Sequence, residues 1–225
     1  MIVITRREFL AGGIAAGLLQ PTAGRTYPLG LDTHRDGLVY VPAGYSERSP
    51  APLMLIFHGA GGAGSRAAAW FPLADAFGVV LLAPDSRDER SWDAVLGDWG
   101  PDLQFIAGAL RQTVARWAID RGRMCAAGFS DGASYALSFG IGAGDVFSHV
   151  AAFSPGLMTP RDARGKPRIF ISHGLSDPVM PIAETSRRFV PALRQLGYDV
   201  TFREYDGRHN VPEPIVREAF AWLRH

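Results

Sequence analysis

The stretch at residues 124–132, MCAAGFSDG, decides the fold class. Its first six residues form an apolar run typical of a strand buried within a sheet. The pentapeptide Gly128-Phe129-Ser130-Asp131-Gly132 follows, and residues 133–140 then have the apolar spacing of a helix. A serine at such a strand-to-helix turn sits on a strained backbone with its hydroxyl exposed, and larger side chains in place of the two glycines would collide with the neighbouring strand and helix. The pattern therefore indicates a reactive serine.

Short apolar runs alternate with longer helical patterns along the rest of the chain. This βαβ rhythm predicts a mostly parallel, twisted sheet with helices on both faces. The predicted strands are 38–41, 53–57, 79–83, 124–129, 149–153, 168–172 and 200–205, and the predicted helices begin at Pro101 and cover 133–140, 183–196 and 213–223. The chain has 225 residues, of which 47% are hydrophobic and 20% charged. This composition is ordinary for a globular protein, and we place a single domain at 25–225.

Charge and cysteine content exclude several function classes. The formal net charge is +1, and no segment concentrates basic residues with aromatic residues between them, so we expect no nucleic-acid partner. The single cysteine, Cys125, excludes an internal disulfide and a paired-cysteine metal or redox site. Because Cys125 lies in an apolar run, we predict that it is a small core residue.

The first 24 residues resemble a twin-arginine export signal. Arg6 and Arg7 precede Phe9-Leu10 and a weakly apolar stretch that is rich in glycine and alanine. That stretch is too short to span about 30 Å of hydrocarbon, so we expect no permanent membrane anchor. The resemblance implies a periplasmic or secreted protein. The alternative is an ordinary amphipathic first helix.

Two further residues complete a candidate for nucleophilic catalysis. A serine hydroxyl attacks efficiently only when an imidazole takes its proton and a carboxylate orients that imidazole. Asp177 follows the predicted strand 168–172, and His209 follows the predicted strand 200–205. Parallel strands place residues that follow their carboxyl ends at one edge of the sheet, so we expect Ser130, Asp177 and His209 to meet there. Asp206 is the alternative acid, but it shares a loop with His209.

The glycine-rich segment His58-Gly59-Ala60-Gly61-Gly62 and its continuation to Gly64 predict an oxyanion hole. Small residues directly after a strand let backbone N–H groups point at a reacting oxygen. We assign this role to the N–H of Ala60, with Gly61 as the alternative, and to the N–H of Asp131 at the start of a helix. The Asp131 carboxylate is expected to point outward and to stabilise that helix.

Together these motifs resemble those of small, lidless α/β-hydrolase serine esterases. The sequence is similar to the bacterial phospholipase/carboxylesterase and polyhydroxybutyrate-depolymerase-like esterases in HGAGG at 58–62, APDSR at 83–87, SWD at 91–93, GFSDG at 128–132 and HGLSDPVMP at 173–181. The resemblance implies an α/β-hydrolase fold, with Ser130 as nucleophile, His209 as general base and then acid, and Asp177 as the orienting carboxylate. The stretch 158–166 is too short for a substantial lid.

The resemblance implies a small-molecule ester substrate and no cofactor. Trp92, Phe129 and Val179 are the candidate pocket residues. Carboxylesters and phospholipids are the first expectation for the substrate, and polyhydroxyalkanoate oligomers or feruloyl-type esters are the alternative.

A metal and a dinucleotide cofactor are both disfavoured. His58, His173 and His209 are too dispersed to predict a metal site, and His173 is expected to be a strand-end packing or hydrogen-bonding residue. The remote alternative is a nicotinamide oxidoreductase. Residues 59–64 match GxGxxG, and Asp85 stands at the end of the next predicted strand.

Overall fold

An eight-stranded sheet forms the centre of the computed structural model, which describes residues 24–224. Its strands are β1 (Arg25–Pro28), β2 (Gly37–Val41), β3 (Ala51–Phe57), β4 (Val80–Pro84), β5 (Ile119–Phe129), β6 (His149–Phe153), β7 (Arg168–Gly174) and β8 (Val200–Tyr205). They lie in the order β1-β2-β4-β3-β5-β6-β7-β8. β2 pairs antiparallel with β1 and β4, and every other pair is parallel. The predicted mostly parallel sheet is confirmed.

Helices cover both faces of this sheet. They are a 3-10 helix at Gly64–Trp70, α1 (Phe71–Phe77), α2 (Asp93–Leu96), α3 (Pro101–Arg116), α4 (Asp131–Gly142), α5 (Ser186–Gln195) and α6 (Glu213–Trp222). Successive residues of a strand point to opposite faces. In β3, Leu55 packs into the core cluster that contains residues of α3 and α4, whereas Ile56 packs into the cluster that contains residues of α1 and α6. This two-sided burial explains why the central strands are continuously apolar in sequence.

The sequence locates β6 and β8 at their observed limits, but it misses other elements. β1 is an edge strand with mostly exposed residues, so it has no apolar run to reveal it. β5 begins at Ile119, ahead of its predicted start, because a polar, partly exposed segment precedes its apolar part. The 3-10 helix, α1 and α2 are short and were not predicted from periodicity.

The connection between β6 and β7, residues 154–167, contains no helix or strand and only an isolated bridge between Gly144 and Gly165. The expectation that this stretch forms no substantial lid is therefore confirmed for the described chain. The predicted export signal at 1–24, including Arg6 and Arg7, lies outside the described residues except for Gly24. Within residues 24–224, no helix has the length and apolar character needed to cross a membrane.

Candidate active site

Ser130 occupies the turn between β5 and α4 with a strained backbone. Its φ of 58° and ψ of −122° lie in a region that non-glycine residues rarely adopt. The Ser130 N–H donates to the carbonyl of Phe153 on β6 (3.0 Å), and the Ser130 carbonyl accepts from the N–H groups of Ala133 (2.9 Å) and Ser134 (3.0 Å). The neighbouring strand and the first turn of α4 therefore hold the strained conformation.

The two glycines around Ser130 are required by close backbone contacts. A Cβ atom at Gly128 would collide with the carbonyl of Gly132, and a Cβ at Gly132 would collide with the carbonyl of Phe57 at the end of β3. The predicted collisions of larger side chains at these glycines are therefore present. α4 packs against the end of β3 at this point, which brings the loop after β3 close to Ser130.

Ser130, His209 and Asp177 form a continuous hydrogen-bonded chain. His209 Nε2 lies 2.9 Å from Ser130 Oγ, and His209 Nδ1 lies 2.7 Å from Asp177 Oδ2. The other carboxylate oxygen, Oδ1, accepts from the N–H groups of Val179 and Met180, each at 2.9 Å. Burial raises the pKa of Asp177, but the Met180 N–H and the His209 ring outweigh that effect, and the net pKa lies below its usual value. Asp177 therefore carries a negative charge beside His209.

The loop that carries His209 is packed against the loop that carries Asp177. The Ser176 N–H donates to the carbonyl of Gly207 (3.0 Å), and the Tyr205 hydroxyl donates to the carbonyl of Asn210. The Phe129 ring lies against the His209 imidazole, with ring centroids 4.7 Å apart. Asp206, the alternative acid, is exposed. The geometry therefore places Asp177, and not Asp206, on the imidazole.

The glycine-rich loop leaves the Ala60 N–H without a protein acceptor. Residues 59–62 form a turn in which the Gly62 N–H donates to the Gly59 carbonyl (3.1 Å), and the Gly61 N–H donates to the carbonyl of Arg90 (2.7 Å). Within the described chain, the N–H groups of Ala60 and of Asp131 have no hydrogen-bond acceptor. The alternative donor Gly61 is already occupied, so the geometry favours Ala60 and Asp131 as the pair that could bind an oxyanion.

His58 fixes the shape of this loop and is unavailable as a base. The Ser86 N–H donates to His58 Nε2 (3.0 Å), so the ring proton must be on Nδ1, which donates to the Gly59 carbonyl (2.8 Å). Burial lowers the pKa of His58, which keeps the ring neutral. The Arg35 guanidinium also donates to the Gly62 carbonyl (3.0 Å). The loop is therefore held in place from both sides.

Asp131 differs from its expected orientation. The residue is half-buried, and its carboxylate accepts a hydrogen bond from the Ser91 hydroxyl (2.6 Å) instead of pointing freely into solvent. No side-chain hydrogen bond caps the first turn of α4. Ser91 thus satisfies the carboxylate of the residue whose N–H is a candidate oxyanion donor.

A cavity of about 350 Å³ opens beside the glycine-rich loop. Besides His58, Gly59, Ala60, Gly62 and Arg66, its lining residues are apolar: Ile56, Phe57, Ala67, Trp70, Phe129 and Val211. Trp70 was missed in the sequence because it lies in a segment without a motif, and Val211, two residues after His209, has no signal of its own. The cavity places an apolar wall next to the candidate oxyanion donor Ala60.

Of the three pocket residues expected from the sequence, only Phe129 lines this cavity. The expectation for Trp92 was wrong, because Trp92 is fully buried, packs its ring on Phe57 (centroids 4.9 Å apart) and donates from Nε1 to the His58 carbonyl (2.8 Å). Val179 lies outside the cavity lining and exposes 57% of its surface, and its backbone holds Asp177. Trp92 therefore supports the glycine-rich loop from beneath.

The glycine loop is not arranged as a dinucleotide site. The N–H of Gly64 donates to Asp85 Oδ1 (2.6 Å), so the acidic residue of the GxGxxG hypothesis is bonded to the loop itself. Gly64 is the first residue of a short 3-10 helix.

Among residues 24–224, no group of three His, Cys, Asp or Glu side chains is placed to hold a metal ion. Cys125 is completely buried, and burial raises the pKa of its thiol.

Comparison with solved structures finds esterases and a serine hydrolase with a similar fold. Esterase PE8 is 21% identical, with 90% of this chain and 97% of that chain covered and a TM-score of 0.65. FphF, a fluorophosphonate-binding serine hydrolase of Staphylococcus aureus, is 13% identical, with 90% and 99% covered and a TM-score of 0.73. Acetyl xylan esterase from Aspergillus awamori is 16% identical, with 89% and 99% covered and a TM-score of 0.70.

No protein-family model and no curated protein matches the sequence. The structural matches nevertheless cover nearly the whole length of proteins built on the same scaffold, and the strand order and the strand-to-helix turn at Ser130 agree with it. The chain therefore has the α/β-hydrolase fold, and the predicted fold class is confirmed.

Proposed function

We propose that the protein is a serine hydrolase that cleaves carboxylic esters of small molecules through a covalent acyl-enzyme on Ser130. The observation that carries the proposal is the hydrogen-bonded chain from Ser130 Oγ through His209 to Asp177 Oδ2, with distances of 2.9 and 2.7 Å. Beside these three residues lie the N–H groups of Ala60, on the loop after β3, and of Asp131, at the start of α4. Neither has an acceptor among the residues that the structure describes. Nucleophile, base, orienting acid and oxyanion donors are the parts that acyl transfer requires.

In the first half-reaction, His209 Nε2 takes the proton from Ser130 Oγ as Oγ bonds to the ester carbonyl carbon. The carbonyl π electrons move onto oxygen, and the N–H groups of Ala60 and Asp131 stabilise the resulting oxyanion. When the carbonyl re-forms, the bond to the alcohol oxygen breaks, and His209 gives its proton to the departing alcohol. Asp177 stabilises the imidazolium in between without taking its proton.

In the second half-reaction, water replaces the alcohol. His209 takes a proton from the water as the water oxygen attacks the acyl carbon, and the same N–H groups stabilise the oxyanion. Collapse breaks the bond to Ser130 Oγ, which receives the proton back from His209. The products are a carboxylic acid and an alcohol, and every proton transfer uses a side chain of the chain itself.

The cavity beside the oxyanion donors supports a compact acyl group with apolar character. Its volume of about 350 Å³ lies near the lower end of the range for small-molecule pockets, about 300 to 1,000 Å³. Trp70 and Phe129 supply aromatic wall surface, and Ala67 leaves space between them and the loop. A carboxylesterase or phospholipase-like activity fits these features, with hydroxyalkanoate oligomers and feruloyl-type esters as the alternative substrate classes.

The test is hydrolysis of a p-nitrophenyl ester series, from acetate to longer acyl chains, by the wild type and by Ser130→Ala. Ser130→Ala should lower kcat by a factor on the order of 10⁶ without loss of the fold, because the three residues act as a unit. A fluorophosphonate probe should label the wild type at Ser130 and leave the variant unlabelled. Full activity in Ser130→Ala would reject the proposed nucleophile.

We further propose that the protein acts outside the cytoplasm, in the periplasm or after secretion. The support is the pair Arg6-Arg7 ahead of a short, weakly apolar stretch. Replacing both arginines by lysine should leave the precursor in the cytoplasmic fraction, while a matched change of Arg121 and Arg123 should not affect export. Equal export of the Arg6/Arg7 double variant would point to a different route.

A further inference from the structure

A second imidazole touches the candidate catalytic acid. His173, on β7, is fully buried, and its Nε2 lies 3.3 Å from Asp177 Oδ2, with both side chains inaccessible to solvent. This is the same carboxylate oxygen that contacts His209 Nδ1 at 2.7 Å. One oxygen of Asp177 is therefore shared by two histidines, one facing Ser130 and one buried behind the acid.

The hydrogen bonds of His173 determine which of its nitrogens carries the proton. Nε2 lies 2.6 Å from the carbonyl of Met180, which can only accept, so Nε2 must be the protonated nitrogen. Nδ1 lies 2.7 Å from the Ser186 hydroxyl, which therefore donates to it. Burial lowers the pKa of His173, so the ring stays neutral. His173 thus presents an N–H dipole to Asp177 without a full charge.

We infer that His173 is a positioning residue for the catalytic acid: its Nε2–H bonds to the Met180 carbonyl and lies 3.3 Å from Asp177 Oδ2, where the positive end of the N–H dipole holds the carboxylate against His209. The inference rests on the proposed function. The Met180 N–H holds the opposite oxygen, Oδ1, at 2.9 Å. Contacts to both oxygens prevent the carboxylate from rotating away from His209. Ser186, at the start of α5, keeps the His173 ring in the required orientation.

The other titratable groups around His173 do not replace this contact. Glu204 on β8 stands in register with His173, but its carboxylate is paired with Arg187 of α5 at 2.8 Å. Tyr205, the next residue on β8, donates its hydroxyl to the Asn210 carbonyl. The charges of Asp177 and His209 also act on His173. Among residues 24–224, His173 and His209 are the side chains that contact Asp177 Oδ2, and His173 is the one on its buried side.

Loss of the His173 donor has two consequences for catalysis. Asp177 Oδ2 keeps a single donor, so it attracts the His209 proton more strongly, and the acid limb of the kcat/KM profile should move to higher pH by about half a unit. The carboxylate also becomes freer to rotate, so kcat should fall by about tenfold. KM should change little, because His173 does not line the cavity.

The experiment compares His173→Phe, which lacks a donor, with His173→Gln, whose amide can still donate from near the position of Nε2. His149 supplies the matched control: it is also a buried histidine whose pKa burial lowers, to about 4, but it begins β6, at the end of that strand opposite to the candidate site. His149→Phe should leave the pH profile unchanged. His173→Phe should shift it upward, and His173→Gln should restore most of the wild-type profile.

A purely structural role for His173 predicts a different result. With such a role, His173→Phe would be less stable than the wild type, but the midpoint of its kcat/KM profile against pH would be unchanged, as in His149→Phe. That result would overturn the inference. If His173→Phe does not fold, Ser186→Ala provides the milder change. It removes only the hydroxyl that orients the ring and should shift the profile in the same direction by a smaller amount. An unshifted profile in a folded Ser186→Ala would count against the inference.

Nitrogen-15 NMR of histidine-labelled protein tests the same inference without a substrate. The wild type should show His173 as the neutral Nε2–H tautomer at neutral pH, and the Nδ1 resonance of His209 should shift in His173→Phe. An Nδ1–H tautomer for His173 would overturn the inference even if the enzyme is active. Conversely, absence of ester hydrolysis and of Ser130 labelling in the wild type would reject the proposed function while these NMR results still stand.

Discussion

Asp177→Asn should disable His209 by reversing its tautomer. Oδ1 of Asp177 accepts two backbone N–H groups, from Val179 and Met180, so an asparagine must keep its carbonyl oxygen there. Its NH₂ group then occupies the position of Oδ2, 2.7 Å from His209 Nδ1. Two donors cannot face each other, so Nδ1 must become an acceptor and the ring proton must move to Nε2. A ring protonated at Nε2 cannot take the proton of Ser130.

The size of the loss in kcat depends on which interactions Asp177→Asn removes and which it keeps. The variant loses both the correct tautomer and the negative charge that stabilises the imidazolium, which together are worth about 10⁴ in kcat, or about 5 kcal/mol of transition-state stabilisation. The candidate oxyanion donors Ala60 and Asp131 are untouched, so residual activity above the uncatalysed rate should persist. The new NH₂ also faces the His173 Nε2–H, so the free energy of unfolding should fall by about 1 to 3 kcal/mol.

The assay is steady-state hydrolysis of p-nitrophenyl acetate, with fluorophosphonate titration to count active sites and urea denaturation to verify folding. Asp206→Asn is the matched control, because it makes the same chemical change at an exposed position on the His209 loop. It should leave kcat near the wild-type value. The reasoning is refuted if Asp206→Asn is as damaging as Asp177→Asn, or if Asp177→Asn loses less than about tenfold in kcat.

Two further predictions concern the cavity and a buried acid. Ala67→Leu should narrow the cavity and lower the ratio of hexanoate to acetate hydrolysis by at least about tenfold, since each methylene in an apolar pocket is worth about 1 to 3 kcal/mol; an unchanged ratio in the p-nitrophenyl series would show that acyl chains bind elsewhere. Burial raises the pKa of Asp102 to about 6. Between pH 4 and 6 the Asp102 carboxyl is therefore protonated in the folded protein, whereas in the unfolded chain it has lost its proton. As the pH rises from 4 to 7, the free energy of unfolding of the wild type should therefore fall by up to about 3 kcal/mol relative to that of Asp102→Asn. Urea denaturation of both proteins at the two pH values measures this, and a constant difference would contradict it.

The sequence predicts the central sheet because burial on both faces leaves a direct signal. β6 and β8 are observed at their predicted limits, and the apolar runs of β3 and β7 fall within the observed strands. Ser130, Asp177 and His209 were placed together because each follows a predicted parallel strand, and the measured distances agree with that placement. These three residues could be placed together because the sheet, and not the loops, determines which residues can meet.

The substrate pocket could not be predicted in the same way. Trp92 follows a strand end, but nothing in the sequence shows that its ring turns inward to pack on Phe57. Trp70 belongs to the 3-10 helix at Gly64–Trp70, whose alanines and single arginine give no apolar period. The partner of His173, Ser186, is contributed by a different element. Loop orientation and contacts between distant segments depend on the folded chain, and local patterns do not encode them.

The candidate nucleophile Ser130 and the candidate oxyanion donors depend on the same close contact between α4 and β3. Gly132 allows α4 to approach the Phe57 carbonyl, and this approach holds the first residue of α4, Asp131, near the loop that begins at His58. Hydrogen bonds to β6 and to the first turn of α4 stabilise the strained φ of Ser130 at the same place. A change that moves α4 away from β3 would therefore relax the backbone of Ser130. It would at the same time move the N–H groups of Ala60 and Asp131 apart. The strained turn is thus inseparable from the candidate oxyanion hole, and the proposed function would explain why a residue with an unfavourable backbone conformation is tolerated at the centre of the sheet.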